Sequence, residues 1–504
     1  MSRYSGIGQT AFGPLDYTFS PVSRKDMPRL HSRVTAAPRH RHMPRASSLT
    51  MTAHAAHPKS PRPVTLSDLG RLARGRIPGQ VVIQYTDRCN ASCVQCGMRT
   101  GNRFKRSTLR PDFLAPQIEA MAARGVAAIS FTGGEPLLCL DDIAPLARRA
   151  REAGIRYVRT GTNGFYFRDH ERPDFAARVA SLADTLLASG FNAFWISLDS
   201  AEADLHEANR GLPGVVRGIA KALPIFHAHG LYPAANLGIN RHTGGRTPDG
   251  DDAPPPHDPH RPDAFAAAAF TAHFQGAFRR FYTFVESLGF TTVNACYPMS
   301  AEESPPPGDD KATATVTAAE AVYAATSADD FIRFSRQEKA ALFAALFEVI
   351  PEYRGRLRIF TPRSSLLSLM RHYGDGPQNG HYPCRGGIDF FFMDAARGHI
   401  FPCGYRGGED MGLFSDFDPA RIAATPFCDR CDWECFRDPS ELFGPVMDVF
   451  SRPLSLAKRF LTDAMYRRTW IEDMRYALAC DGCSAVIPPH PARLARFARP
   501  KPSA

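Results

Sequence analysis

Six short apolar runs, near residues 81–85, 126–131, 155–160, 193–198, 233–239 and 290–296, alternate with stretches of helical periodicity. Runs of this length separated by helices read as buried strands that pair in parallel, because parallel neighbours need a long crossover. The pattern predicts an α/β fold, a parallel βα array of six units. At 504 residues with 44% hydrophobic content, the chain is long enough for sizeable cores and for more than one domain.

In such an array the strand ends carry the chemistry. Cys89, Cys93 and Cys96 follow the apolar run Val81 to Tyr85. Three thiolates on one loop can hold three irons of a 4Fe-4S cluster and leave the fourth iron open to an exogenous chelator; zinc or redox thiols are the blander readings. Val126 to Phe131 runs into Thr132-Gly133-Gly134-Glu135-Pro136. Paired glycines let main-chain carbonyls approach an ammonium group, and Glu135 adds negative charge. Asn163 follows the third run, and Ser197 and Asp199 close the fourth; as plain structure these are turn and helix-cap residues.

The spacing Cys-x3-Cys-x2-Cys after a strand, followed by Gly-Gly-Glu-Pro after the next, resembles the radical S-adenosylmethionine (radical SAM) enzymes. The resemblance implies a partial (β/α)6 TIM-type barrel, with S-adenosylmethionine chelating the open iron. It also implies that Gly133, Gly134 and Glu135 bind the cofactor's amino group, that Asn163, Ser197 and Asp199 approach its ribose and methionine portions, and that Arg210 pairs with its carboxylate. One departure stands out: the family usually carries an aromatic residue before the third cysteine, where this chain has Gln95.

Seven more cysteines lie C-terminal to the barrel. Cys384 and Cys403 bracket a hairpin predicted from Asp389–Met393 through a turn to His399–Phe401, and Cys428, Cys431 and Cys435 follow, then Cys480 and Cys483. The Cys384 to Cys403 spacing is similar to the opening of SPASM and twitch extensions, which implies auxiliary Fe-S clusters. Cys384, Cys403, Cys428 and Cys431 would fill one site. Cys435, Cys480 and Cys483 are left for a second cluster or for zinc, since Cys435 comes two residues earlier than a full SPASM pattern requires. Cys139 reads as a small buried residue. Cys296 ends the sixth run at the expected barrel mouth; it is a catalytic candidate as a hydrogen-atom donor, with burial as the ordinary alternative.

The expected domains are a disordered basic tail over 1–63, the barrel over 76–300, linker and helices over 301–375, the auxiliary-cluster extension over 376–490, and a disordered tail over 491–504. Residues 1–63 hold ten Lys or Arg against Asp16 and Asp26, so eight of the net +10 charge belong to this stretch. It also resembles a transit peptide, or Met51 opens the true chain. Segments 247–263 and 300–313, rich in Pro and Asp, read as solvated loops. No run is long and apolar enough for a transmembrane segment, no nucleic-acid module is visible, and oxygen-sensitive clusters suit the cytoplasm.

The resemblance implies an enzyme that reductively cleaves S-adenosylmethionine to a 5′-deoxyadenosyl radical and abstracts hydrogen from a substrate, with a flavodoxin- or ferredoxin-type electron donor. Peptide modification is the first expectation. Radical dehydrogenation of a small molecule such as a sugar or cyclitol is the second, and a non-catalytic Fe-S sensor the third.

Overall fold

The structure is a computed structural model and describes residues 66–96, 106–246, 266–298, 331–374, 381–418, 428–429 and 431–499. The expected tail over 1–63 and the loops over 247–263 and 300–313 lie outside the described residues.

The six predicted strands are present: β1 Gly79–Thr86, β2 Val126–Gly133, β3 Tyr157–Thr162, β4 Ala193–Ser197, β5 Ala234–Gly238 and β6 Thr292–Cys296. Each pairs in parallel with the next. A first helix, α1 (Leu66–Ala73), precedes them, and α2 (Pro111–Ala123), α3 (Leu140–Glu152), α4 (Phe175–Ala188), α5 (Ala203–Arg210), α6 (Val215–Ala228) and α7 (Ala267–Leu288) fill the crossovers. In α3, Ile143, Leu146, Ala147 and Ala150 recur at helical spacing and are buried. Asp141 and Asp142 open that helix and Arg149 and Arg151 close it, each sign matching the helix dipole.

The sheet does not close. Its order runs β7-β6-β5-β4-β3-β2-β1-β8-β9, where β7 is Arg358–Ile359, β8 Phe390–Met393 and β9 Ile400–Phe401. This is the predicted partial barrel, extended at both edges. β8 lies parallel to β1, with Val81 opposite Phe391, and β9 returns antiparallel as the predicted hairpin. Main-chain hydrogen bonds therefore join the cysteine-rich extension to the barrel sheet itself.

Successive strand residues face opposite sides. On the outer side Ile129, Phe131, Val158, Phe194, Ile196, Leu237 and Val293 are fully buried beneath the helices. Phe131 meets the rings of Tyr85 and Phe191 edge-on. Each such side chain contributes about 1.5–3 kcal/mol by leaving water. The inner side is left for other residue types.

Beyond the barrel come α8 (Arg336–Tyr353), opened by a Ser335/Glu338 capping box, and α9 (Arg363–Tyr373). Then follow α10 (Glu434–Ser451), α11 (Pro453–Thr462), α12 (Ala464–Ala479) and α13 (Pro491–Leu494). The last of these lies in the first part of the segment 491–504 expected as a tail, of which residues 500–504 lie outside the described residues. Leu494 is buried, Phe497 packs edge-on against Tyr476, and Arg493 pairs with Asp481 at 3.0 Å. Arg499 adds a second ion pair, to Glu472 at 3.7 Å.

Candidate active site and metal centres

Registered pairing puts the inner-face residues of neighbouring strands side by side. Ser130 faces Arg159, Gly161 faces Trp195, Ser197 faces Asn236, Asn236 faces Asn294 and Gly238 faces Cys296. This polar stripe forms the floor of a cavity of about 680 Å³. Cys89, Cys93, Cys96, Gly133, Gly134, Glu135, Asn163, Ser197, Arg210 and Cys296 all line it. Trp433, Glu434 and Cys435, from the start of α10, close one side.

The cysteine loop hangs on the C-terminal end of α5: Ser92 N donates to Arg210 O at 2.9 Å and Val94 N to Asn209 O at 3.0 Å. Asn163 Nδ2 reaches Cys89 Sγ at 3.6 Å, and Ala91 N donates to the same sulfur at 3.4 Å. Burial pushes the Cys93 thiol up to about 11, with Arg210 pulling the other way. Bound metal would supply the positive charge that makes such thiols thiolates.

Gly133 and Gly134 have a second reason to be glycine. A Cβ at Gly134 would lie 2.2 Å from Arg88 O, and one at Gly133, where φ is +132°, would lie 2.1 Å from Thr86 O. The turn lies flat on the chain leaving β1, with Gly134 N donating to Thr86 O and Glu135 N to Arg88 O. Glu135 is fully buried; its oxygens accept from Leu137 N at 3.0 Å and Asn163 N at 2.7 Å. Burial pushes its carboxyl up to about 7 against these hydrogen bonds. Glu135 thus ties the second strand end to the third.

The sequence resemblance assigns Arg210 to a cofactor carboxylate, but here its fork is turned to Asp199. Nε lies 2.6 Å from Oδ2 and Nη2 2.9 Å from Oδ1, while Gln95 Nε2 donates to Oδ2 at 2.9 Å. Despite burial, the ion pair with Arg210 holds the Asp199 carboxyl below its usual range. Gln95, which stands where the family carries an aromatic residue, reinforces this pair.

Cys384, Cys403, Cys428 and Cys431 share one apolar cluster with Tyr405, Trp433 and Phe436. Cys384 N donates to Cys428 O at 2.8 Å, a bridge that brings the hairpin and the later cysteines together. Burial is the main force raising the Cys384 and Cys403 thiols, and the neighbouring cysteines add to it. Arg406 and Arg437 lie close enough to draw on these sulfurs, and Arg437 Nη1 is buried without a hydrogen-bond partner among the described residues. Four soft donors beside an unsatisfied guanidinium nitrogen fit an anionic thiolate-bound cluster.

Cys435, Cys480 and Cys483 line a separate cavity of about 270 Å³, which shares Arg159, Asn294, Glu434 and Cys435 with the larger one. Asp481 and Cys483 both adopt positive φ, unusual for side-chain-bearing residues. Cys480 and Cys483 hydrogen-bond through their thiols. The larger cavity also contains residues that the motifs did not flag, namely Arg159, Trp195, Asn236, Asn294, Trp433 and Glu434. A polar residue inside an otherwise apolar strand run was the available signal for Asn236 and Asn294; nothing local marks Glu434.

Residues 83–251 match the family model of the Radical SAM superfamily. This segment is a Radical SAM domain. It contains the cysteine loop, the Gly-Gly-Glu turn, Asn163, Asp199 and Arg210. The Radical SAM family uses a 4Fe-4S cluster and S-adenosylmethionine, and three thiols opening on a cavity of this size fit that pair of groups.

Among similar proteins, a GTP 3′,8-cyclase of Lactiplantibacillus plantarum is 35% identical over 152 residues, 29% of this chain and 42% of that protein. An AdoMet-dependent heme synthase of Methanosarcina barkeri is 28% identical over 28% of this chain and 37% of its own. The chain spans less than half the length of these curated relatives. The solved structure of native anSMEcpe with bound AdoMet aligns over 68% of this chain and 81% of that one, at 14% identity and a TM-score of 0.41. Among the described residues, no helix is long and apolar enough to cross a membrane.

Proposed function

We propose that this chain is a radical SAM enzyme. In this reading Cys89, Cys93 and Cys96 hold a 4Fe-4S cluster, and Cys384, Cys403, Cys428 and Cys431 hold an auxiliary one. When bound, cluster and S-adenosylmethionine together supply one-electron reductive cleavage of the sulfonium and a hydrogen-abstracting adenosyl group. The observation that carries the proposal is the single cavity into which the cysteine loop, the Gly-Gly-Glu turn and the start of α10 all open.

The chain's own residues hold and shield. Glu135 locks the turn to Asn163, leaving the turn's main chain to face the cofactor's amino group. Arg210 and Gln95 fix Asp199 at the fourth strand end. Trp433, Glu434 and Cys435 cover the cavity on the substrate side and keep water from the reacting carbon. Cys296, whose thiol burial raises well above its usual range, stays protonated there, and in this reading it gives a hydrogen atom to a substrate radical, leaving a thiyl radical on its own sulfur.

For the substrate we infer a peptide side chain first, since the seven C-terminal cysteines approach the larger cluster sets of peptide-modifying relatives. A small molecule is the second reading, favoured by a cavity of about 680 Å³ walled by the chain itself. Full-length protein reconstituted anaerobically, reduced with dithionite and given S-adenosylmethionine should release 5′-deoxyadenosine. A fully loaded protein that releases none overturns the catalytic reading and leaves the sensor. Iron counting should give about eight irons per chain for two clusters, and about twelve if Cys435, Cys480 and Cys483 hold a third.

A further inference from the structure

One group in the cavity has no use in that scheme beyond covering it. Glu434, the first residue of α10, is only 6% exposed and lines the cavity wall. Its Oε1 accepts from the Cys435 thiol at 3.5 Å and the Cys296 thiol and Tyr297 N also reach the carboxyl, while Oε2 is buried with no hydrogen-bond partner among the described residues. Arg159, also in the cavity wall, donates its Nε to Ser130 Oγ. The two amides opposite are also engaged, Asn236 Nδ2 with Cys296 Sγ at 3.2 Å and Asn294 Nδ2 with Asn236 Oδ1 at 2.8 Å.

A buried carboxylate oxygen left without a donor costs about 1–3 kcal/mol or more, so it persists where a ligand satisfies it. A donor that suits this one open carboxyl oxygen is a cation. Trp195 and Trp433 line the same cavity and provide aromatic surface, which also favours an organic cation. A primary ammonium is compact and offers three donors.

We propose that Glu434 is the subsite for a protonated amine on the substrate, with Trp195 and Trp433 walling the space around it. The inference rests on the reading that this cavity is the reaction chamber, and it narrows the substrate to amine-bearing molecules. The amine belongs to a small aminated molecule or to a lysine side chain of a peptide. A purely structural Glu434 at a helix start predicts no preference for charge in the ligand.

The test is calorimetric titration of the full chain, reconstituted and loaded with S-adenosylmethionine, without reductant, so that nothing turns over. Glucosamine is compared with glucose, and Gly-Lys-Gly with Gly-norleucine-Gly. In at least one pair the ammonium member should bind about tenfold tighter or more than its neutral counterpart, Glu434→Gln should abolish that preference, and Glu434→Asp should retain part of it. Preference in the sugar pair assigns a small amine, and preference in the peptide pair assigns a lysine. Equal binding within both pairs, no binding of either amine, or a preference that survives in Glu434→Gln overturns the proposal. Iron content and melting temperature of each variant, matched to the parent, separate lost recognition from lost folding. Because the titration contains no reductant, its failure leaves the 5′-deoxyadenosine result untouched, and the converse holds.

Discussion

Arg210 grips Asp199 through two parallel hydrogen bonds at 2.6 and 2.9 Å, and the backbone carbonyl of the same Arg210 carries the cysteine loop through Ser92 N. One residue therefore couples the fourth strand end to the three candidate ligands. Asp199 is fully buried and the Arg210 side chain is 13% exposed, so the pair is shielded from salt. Arg210→Ala should destabilise the chain by about 3–5 kcal/mol, because it strands a buried carboxylate. Arg210→Lys should cost less but lose the fork. Denaturant midpoints measure the first effect; iron retained per chain measures whether the loop has slipped.

A single methyl group tests the contact between the first two strand ends. Gly134→Ala places Cβ against the Arg88 carbonyl, a main-chain atom that cannot swing aside. The turn must lift, breaking the bonds from Gly134 N and Glu135 N. The expected cost is about 1–3 kcal/mol, together with loss of cofactor cleavage. Calorimetric melting and 5′-deoxyadenosine yield check the two parts, and an unchanged yield would show that the turn does not face the cofactor.

Lys339 on α8 meets Asp432 at 3.0 Å with both side chains almost fully buried, and it lies over the Tyr373 ring. Asp432 sits between Cys431 and Trp433, so this ion pair clamps the segment that joins the auxiliary cysteines to the cavity wall. Lys339→Met is expected to cost about 3–5 kcal/mol by leaving Asp432 charged and alone. The double variant Lys339→Met with Asp432→Leu should recover much of it. A double-mutant cycle on urea midpoints reads the coupling.

His206 gives a pH signature. It is fully buried, and its Nδ1 accepts from Asp199 N at 3.1 Å, which requires an unprotonated Nδ1. Burial, reinforced by Arg210 and opposed by Asp199, lowers its pKa from 6.5 to about 4. Between those values the unfolded chain binds the extra proton, so this contribution is whole above pH 6.5 and is lost as pH falls towards 4. The slope is about 1.4 kcal/mol per pH unit for one proton. Glu135, raised from 4.5 to about 7, acts in the opposite sense over the overlapping window from pH 4.5 to about 7, since its native form holds the extra proton there. His206→Asn should remove the histidine slope while leaving that of Glu135, so the difference between parent and variant stability curves over pH 4–6.5 is the measurement.

Much of this architecture was legible along the chain because it is local. The six strands reveal themselves as contiguous apolar runs, and the cysteine loop and the Gly-Gly-Glu turn are short segments whose spacing carries their chemistry. The hairpin between Cys384 and Cys403 was likewise readable from two runs and a turn. None of these depends on what lies across the molecule.

What the residues do to one another depended on folding across hundreds of positions. The bidentate pair of Arg210 with Asp199, the alignment of β8 beside β1, and the meeting of Glu434 with Cys296 all arise where the fold brings segments distant in sequence together. Glycine motifs showed that something approaches the backbone at Gly133 and Gly134, but only the packed chain reveals that Thr86 and Arg88 do so. Hydrophobic periodicity encodes which face of a strand is buried, because that is a property of neighbours in sequence. The partner of a charge is set by register and packing in space, and a linear pattern does not contain it.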